Sequence, residues 1–146
     1  IVCLPGGRNA GTVSEALVNN GIDLLPSICE WTGAEVPHGR PGESYKTVTE
    51  EGSRGQDYIV TETNFNQTAG TLGWMVRTSR YKYVLYDRGQ HREQLFDMET
   101  DRGEMRNLAV ESKYQEEVLR HRAILENWLK STPGPDRQRH LRFIPE

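Results

Sequence analysis

The 146 residues suffice for about one compact domain, yet 35% hydrophobic content and a mean hydropathy of -0.73 describe a lean core, so either packing is loose or a partner surface lies outside the chain. The 18 basic and 21 acidic residues are scattered and sum to -3, without the Lys/Arg surplus that binding a phosphate backbone requires, so nucleic acid is not an expected partner. No apolar stretch approaches the roughly 20 residues that cross a bilayer, and no charged-then-apolar leader opens the sequence, so no membrane partner is expected either.

The chain opens on Ile1-Val2-Cys3-Leu4, closed by Pro5-Gly6-Gly7, which reads as a buried strand whose sheet neighbours are not in this chain. Its cysteines, Cys3 and Cys29, are read as buried free thiols rather than a disulfide. From Asp23 to Gly33 a short helix is predicted, with Asp23 as cap, Pro26 in the first turn and Gly33 as the left-handed exit. Leu24, Leu25, Ile28 and Trp31 recur at helical spacing and give it one face to bury.

Residues 34–56 are rich in Pro, Gly, Ser and Thr without periodicity and are expected to be surface loops and turns. Strand signals follow at 58–62, 74–77, 81–86 and 94–97, β-branched and aromatic, with turn-like spacers at 78–80 and 87–90. Such short connections imply a small antiparallel sheet. A last helix is expected from Ser112 to about Ser131, opened by a Ser112/Gln115 capping box and stopped by Pro133. Tyr114, Val118, Leu125, Trp128 and Leu129 form its apolar side, which should cover one face of the sheet. The tail 136–146, with Arg137, Arg139, His140 and Arg142, reads as solvated.

Chemistry is nearly present but not assembled. His38, His91, His121 and His140 each stand apart from a second ligand at zinc spacing, and His121, between Arg120 and Arg122, reads as a polar or boundary position. No Ser sits in a Gly-x-Ser-x-Gly turn. Asp97, Glu99, Asp101 and Glu104 crowd one turn, read as a solvated acidic turn rather than a cation site.

Three phrases, in order, resemble the C-terminal third of the sulfatase family within the alkaline phosphatase superfamily. They are the stretch 18–33 around Asp23-Leu24-Leu25-Pro26, the stretch 73–84 ending Tyr81-Lys82-Tyr83-Val84, and the stretch 93–109 around Gln94-Leu95-Phe96-Asp97 and Asn107-Leu108-Ala109. Cys3-Leu4-Pro5-Gly6-Gly7-Arg8 is similar to the family's Cys-x-Pro-x-Arg nucleophile motif, but its Arg falls one place late, so Cys3 is read as a strand residue.

The resemblance implies an α/β fold: the end of a large parallel-sheet domain over residues 1–56, a four-stranded antiparallel sheet with a C-terminal helix over 57–131, and a tail over 132–146. It also implies that nucleophile, metal ligands and sulfate-binding Lys and His lie in an N-terminal catalytic domain, the missing partner, which would carry the bound calcium ion and the formylglycine. By that reading the chain contains no catalytic and no metal residue, needs no cofactor itself, and is inactive alone. Its parent hydrolyses sulfate esters of a small molecule or glycan. A related phosphatase or phosphonate hydrolase, or a non-catalytic glycan- or protein-binding module, stays open. The helix face Leu24/Leu25/Ile28/Trp31 should then lack its natural cover in this chain. The residues offered for substrate contact are Asn64, Asn66 and Gln67, in a polar loop leaving the sheet, whose amides can donate to and accept from sugar hydroxyls.

Overall fold

The computed structural model describes residue 2 and residues 11–65, 72–132 and 140–145. The predicted strand at Ile1–Leu4, with Cys3, lies outside the described residues apart from Val2, as do Arg137 and Arg139. The chain divides into two compact units, Ile1–Ile59 and Val60–Glu146.

In the first unit, helix α1 spans Leu24–Thr32 and ends on Gly33 in the left-handed conformation at φ 73°, as the sequence predicts. Most of its apolar face lacks cover in this chain, as the resemblance implies. Leu24, Leu25 and Ile28 are 47%, 44% and 46% exposed, while Pro26, Ser27 and Cys29 are buried, and Trp31 is half-buried against Tyr45 and Glu50. The other side of the helix holds a polar hub. Asp23 is buried, and instead of capping α1 its carboxylate accepts from the backbone N–H of Asn19 at 2.6 Å, the N–H of Glu43 at 3.0 Å and the Gln56 amide at 3.0 Å. One turn on, the buried Ser27 hydroxyl donates to the Asp23 carbonyl at 2.5 Å and accepts from the Tyr45 N–H at 3.0 Å. With these partners the buried Asp23 carboxylate avoids the cost of an unpaired buried charge.

A second helix, α2 (Lys46–Glu51), forms within the stretch predicted to be loops. Its six residues, with Thr47, Val48 and Thr49 β-branched, are too few and too weak in propensity to register as a periodic pattern. Gly42 lets two backbone segments meet: at φ 106°, a Cβ there would lie 2.1 Å from the Ile22 carbonyl oxygen.

In the second unit four strands form a meander in the order β1-β2-β3-β4: β1 Tyr58–Asn64, β2 Leu72–Thr78, β3 Tyr81–Tyr86 and β4 Glu93–Asp97. The sheet predicted from the short spacers is present, and β2, β3 and β4 pair antiparallel, with Val76 opposite Tyr83 and Tyr83 opposite Leu95. Alternation puts Trp74, Val76, Tyr83, Leu85 and Leu95 on one face, where they join Val60 and Leu108 in the core. Helix α3 (Gln115–Ser131) covers that face with Val118, Leu125 and Leu129, and Tyr114 and Trp128 pack at its edge.

Three details depart from expectation here. The capping box does not form: Ser112–Tyr114 is a 3₁₀ turn, and the Gln115 amide donates to the Ala109 carbonyl instead. His121 is fully buried, held by Thr78 Oγ1 at 3.2 Å on one ring nitrogen and the Glu117 carbonyl at 2.9 Å on the other. The tail is not simply solvated: Leu141, Phe143 and Ile144 pack against the core, and the rings of His140 and Phe143 lie 5.2 and 5.7 Å from that of Trp74. Arg92 ties this segment down by donating to the Phe143 carbonyl at 2.6 Å.

Candidate functional site

Of the residues offered for substrate contact, Asn64 closes β1 as an exposed residue followed by the exposed Phe65, while Asn66 and Gln67 lie outside the described residues. The strand that carries Asn64 is held closely against β2. A Cβ on Gly73 would sit 3.2 Å from the Thr63 methyl and 3.1 Å from the Tyr86 ring, so the glycine lets the neighbouring strands' side chains meet over it. Asn64 therefore stands at the end of a closely paired strand, a usual position for residues that contribute to recognition.

At the opposite edge, β4 is locked to α3 by a polar network that sequence reasoning missed. Arg122 donates to both carboxylate oxygens of Glu93, each at 2.6 Å, and the Tyr83 hydroxyl donates to Glu93 at 2.7 Å. Burial draws the Glu93 carboxyl upward, but Arg122 and Tyr83 overcome that and hold it below its ordinary range. Burial, reinforced by Glu93, pushes the Tyr83 phenol well up, so it stays a hydrogen-bond donor. These residues come from β3, β4 and α3, and no local spacing links them. The motif-like phrase Gln94-Leu95-Phe96-Asp97 did mark their neighbourhood. Asn107 pins the strand beside it, accepting from the Leu95 N–H at 3.0 Å and donating to the Glu93 carbonyl at 3.1 Å.

The acidic turn is consumed by structure. Asp97 is bound by Arg80 at 2.7 Å, which with burial opposing keeps its carboxyl below the ordinary range. Glu104 accepts from Lys82 at 2.6 Å, and Asp101 accepts from the backbone N–H groups of Met105 and Arg106. Glu99 lies 3.4 Å from Arg80. A divalent cation needs several free oxygens converging on one point, and among the described residues no group of three or more His, Cys, Asp or Glu converges in that way. The described residues thus do not fit a calcium site. Cys29, the described cysteine, is a buried free thiol inside α1, without the exposed position a nucleophile needs. No described helix is long and apolar enough to cross a membrane.

The architecture is thus a four-stranded antiparallel meander carrying one long helix, after the Asp-Leu-Leu-Pro helix in sequence. Residues 1–130 match the family model described as N-sulphoglucosamine sulphohydrolase, C-terminal, and the chain belongs to that family. It is similar to the Delta 4,5-hexuronate-2-O-sulfatase of Bacteroides thetaiotaomicron, 35% identical over 133 residues, covering 89% of this chain and 27% of that protein. Among solved structures it is similar to a 2-O GAG sulfatase, with 30% identity, a TM-score of 0.75, and coverage of 94% of this chain and 29% of that one. The fold is also shared with the phosphonate monoester hydrolase of Agrobacterium radiobacter, at 20% identity and a TM-score of 0.58 over 72% of this chain and 23% of that one. The chain thus spans less than a third of the length of these relatives.

Proposed function

We propose that this chain is the C-terminal part of an enzyme that hydrolyses a sulfate ester on a sulfated glycan, a 2-O-sulfated hexuronate being the first substrate to try. The observation that carries the reading is the 35% identity to a hexuronate-2-O-sulfatase over 89% of the chain. The phosphonate hydrolase alternative rests on a shared fold at 20% identity and is the weaker for it.

In this reading the chain contributes support and substrate rim rather than the reacting groups. Calcium and formylglycine would belong to the polypeptide preceding it, and the carboxylates of the acidic turn are already bound to Arg80, Lys82 and backbone N–H groups. The loop after β1, with Asn64, Asn66 and Gln67, would offer amides to sugar hydroxyls at the pocket edge. The test is sulfate release by the intact parent from a 2-O-sulfated unsaturated uronate disaccharide, beside a phosphonate monoester and a simple aryl sulfate. Preference for the disaccharide supports the reading. Preference for the phosphonate, or no turnover of any sulfate, overturns it.

A further inference from the structure

The sheet brings several of its strand ends together. Thr63 near the end of β1, Gly73 near the start of β2 and Tyr86 at the end of β3 lie side by side, since a Cβ on Gly73 would sit 3.2 Å from the Thr63 methyl and 3.1 Å from the Tyr86 ring. Asp87, just past β3, donates its backbone N–H to the Leu72 carbonyl at 3.0 Å, in the same alignment. Asn64 and the turn joining β3 to β4 therefore share one end of the sheet. Neighbouring strands lie about 5 Å apart, so the ends of β1 and β3 are about 10 Å from each other.

The C-terminal segment reaches the same place. Arg92, at the foot of the turn, donates to the Tyr86 carbonyl at 2.9 Å and to the Phe143 carbonyl at 2.6 Å, and the Arg142 guanidinium lies 4.7 Å from the centre of the Phe143 ring. Arg142 stands outside residues 1–130, the region that matches the family model, so this half of the arrangement is not part of that region.

Charge is distributed unevenly over the second unit. Arg80, Lys82, Arg106, Arg120, Arg122 and Lys130 each lie within 2.8 Å of a carboxylate oxygen. Arg88 and Arg142 are exposed, and among the described residues neither pairs with a carboxylate. Arg92 gives its hydrogen bonds to carbonyls, while Glu93, which feels its charge, is held by Arg122. Asp87 is the acidic residue of the turn 87–92, and Glu62 faces His140 at 3.7 Å. Three guanidinium groups thus stand against Asp87 and Glu62, a local positive excess in a chain of net charge -3.

We infer that Arg88 and Arg142, the latter positioned by Arg92, form a binding surface for the sulfate and carboxylate groups of a sulfated glycan, on sugar units beyond the one that is hydrolysed. The inference rests on the reading of the parent as a glycan sulfatase and adds where the rest of the glycan lies. A guanidinium suits such groups because its planar fork meets an oxyanion with two parallel N–H donors, and an exposed, unpaired one surrenders no partner on binding. A glycan is favoured over a nucleic acid by the position beside Asn64 and by the absence of a general Lys/Arg surplus.

Calorimetric titration of the full-length parent with a heparin hexasaccharide tests this. Arg88→Gln with Arg142→Gln should weaken binding roughly tenfold or more, at exposed positions where the fold loses little. Asp87→Asn, which leaves both arginines in place and removes a negative charge, should tighten it roughly twofold. Lys130→Gln, which removes a paired charge on α3, should change nothing. Added salt should weaken the wild type more steeply than the Gln pair. Equal affinity of wild type and Gln pair overturns the inference, as does an Asp87→Asn variant that binds more weakly. So does a single-stranded DNA hexanucleotide that binds as tightly with the same dependence on Arg88 and Arg142, which would make the surface one for any polyanion. Sulfate release from the 2-O-sulfated disaccharide by the wild-type parent is scored separately. Arginine-dependent binding without hydrolysis sinks the functional reading and keeps the surface, and hydrolysis without that dependence does the reverse.

Discussion

Arg122 of α3 reaches both oxygens of Glu93 on β4 at 2.6 Å, and that one bidentate pair joins the long helix to the strand at the edge of the sheet. Both side chains are less than a fifth exposed, so the pair is desolvated enough for its loss to matter.

Removing one partner should expose that cost. Arg122→Ala leaves the Glu93 carboxylate with the Tyr83 hydroxyl and the charge of Arg92, and should destabilise the second unit by about 1–3 kcal/mol. Tyr83→Phe, which keeps the ring in the core, should cost about 1 kcal/mol. Urea denaturation followed by tryptophan fluorescence gives both values. If the double substitution Arg122→Ala/Glu93→Ala costs as much as the sum of the single ones, the two residues are not coupled.

His121 sets a pH window. Burial lowers its pKa below the ordinary 6.5, with the carbonyl and carboxylate of Glu117 pulling it up and Arg120 pushing it down; Thr78 and the rings of Tyr81 and Tyr83 face it from the sheet. A depressed folded pKa means the unfolded chain takes the proton first as pH falls. The contribution is therefore complete above about pH 6.5 and is lost as pH drops through the folded value. The Glu93 and Asp97 carboxyls, also held down, lose theirs only in a more acid range, below their ordinary 4.5 and 3.8. Denaturation midpoints measured from about pH 7.5 to 5 should fall in the wild-type chain and stay nearly flat in His121→Gln.

The hub of the first unit predicts a backbone lesion. Gly42→Ala would place a Cβ 2.1 Å from the Ile22 carbonyl at a φ of 106°, and neither backbone segment is free to move while Glu43 is bonded to Asp23. A loss of more than about 2 kcal/mol is expected, from the left-handed conformation and the clash together. Limited proteolysis should then cut the 34–45 stretch faster than in the wild type. Gly39→Ala, with the same left-handed sign but open space around it, should show only the smaller conformational penalty.

The substrate rim is tested in the parent. Asn64→Ala or Gln67→Ala should lower kcat/KM for the natural sulfated substrate by roughly two- to tenfold, the value of one hydrogen bond of about 0.5–1.5 kcal/mol. A small aryl sulfate, too short to reach the rim, should be turned over almost unchanged. Equal loss on both substrates would indicate misfolding, and no loss on either would remove the loop from the site.

The strands were legible in the residues because alternation of β-branched and aromatic side chains is a local pattern: Tyr81–Tyr86 has the predicted limits, and the other three strands grew by one to three residues. The exit of α1 at Gly33 and the apolar side of α3 were legible for the same reason, as the helical period is written in the sequence. What tertiary structure decided was where each polar group finds its partner. Asp23 looked like a cap and became a buried acceptor for donors 4, 20 and 33 residues away. His121 looked like a boundary residue and was drawn into the core by Thr78, 43 positions earlier. Periodicity reports which faces are apolar. It cannot report which buried hydrogen bonds must be satisfied first, because those partners meet only when the chain has folded.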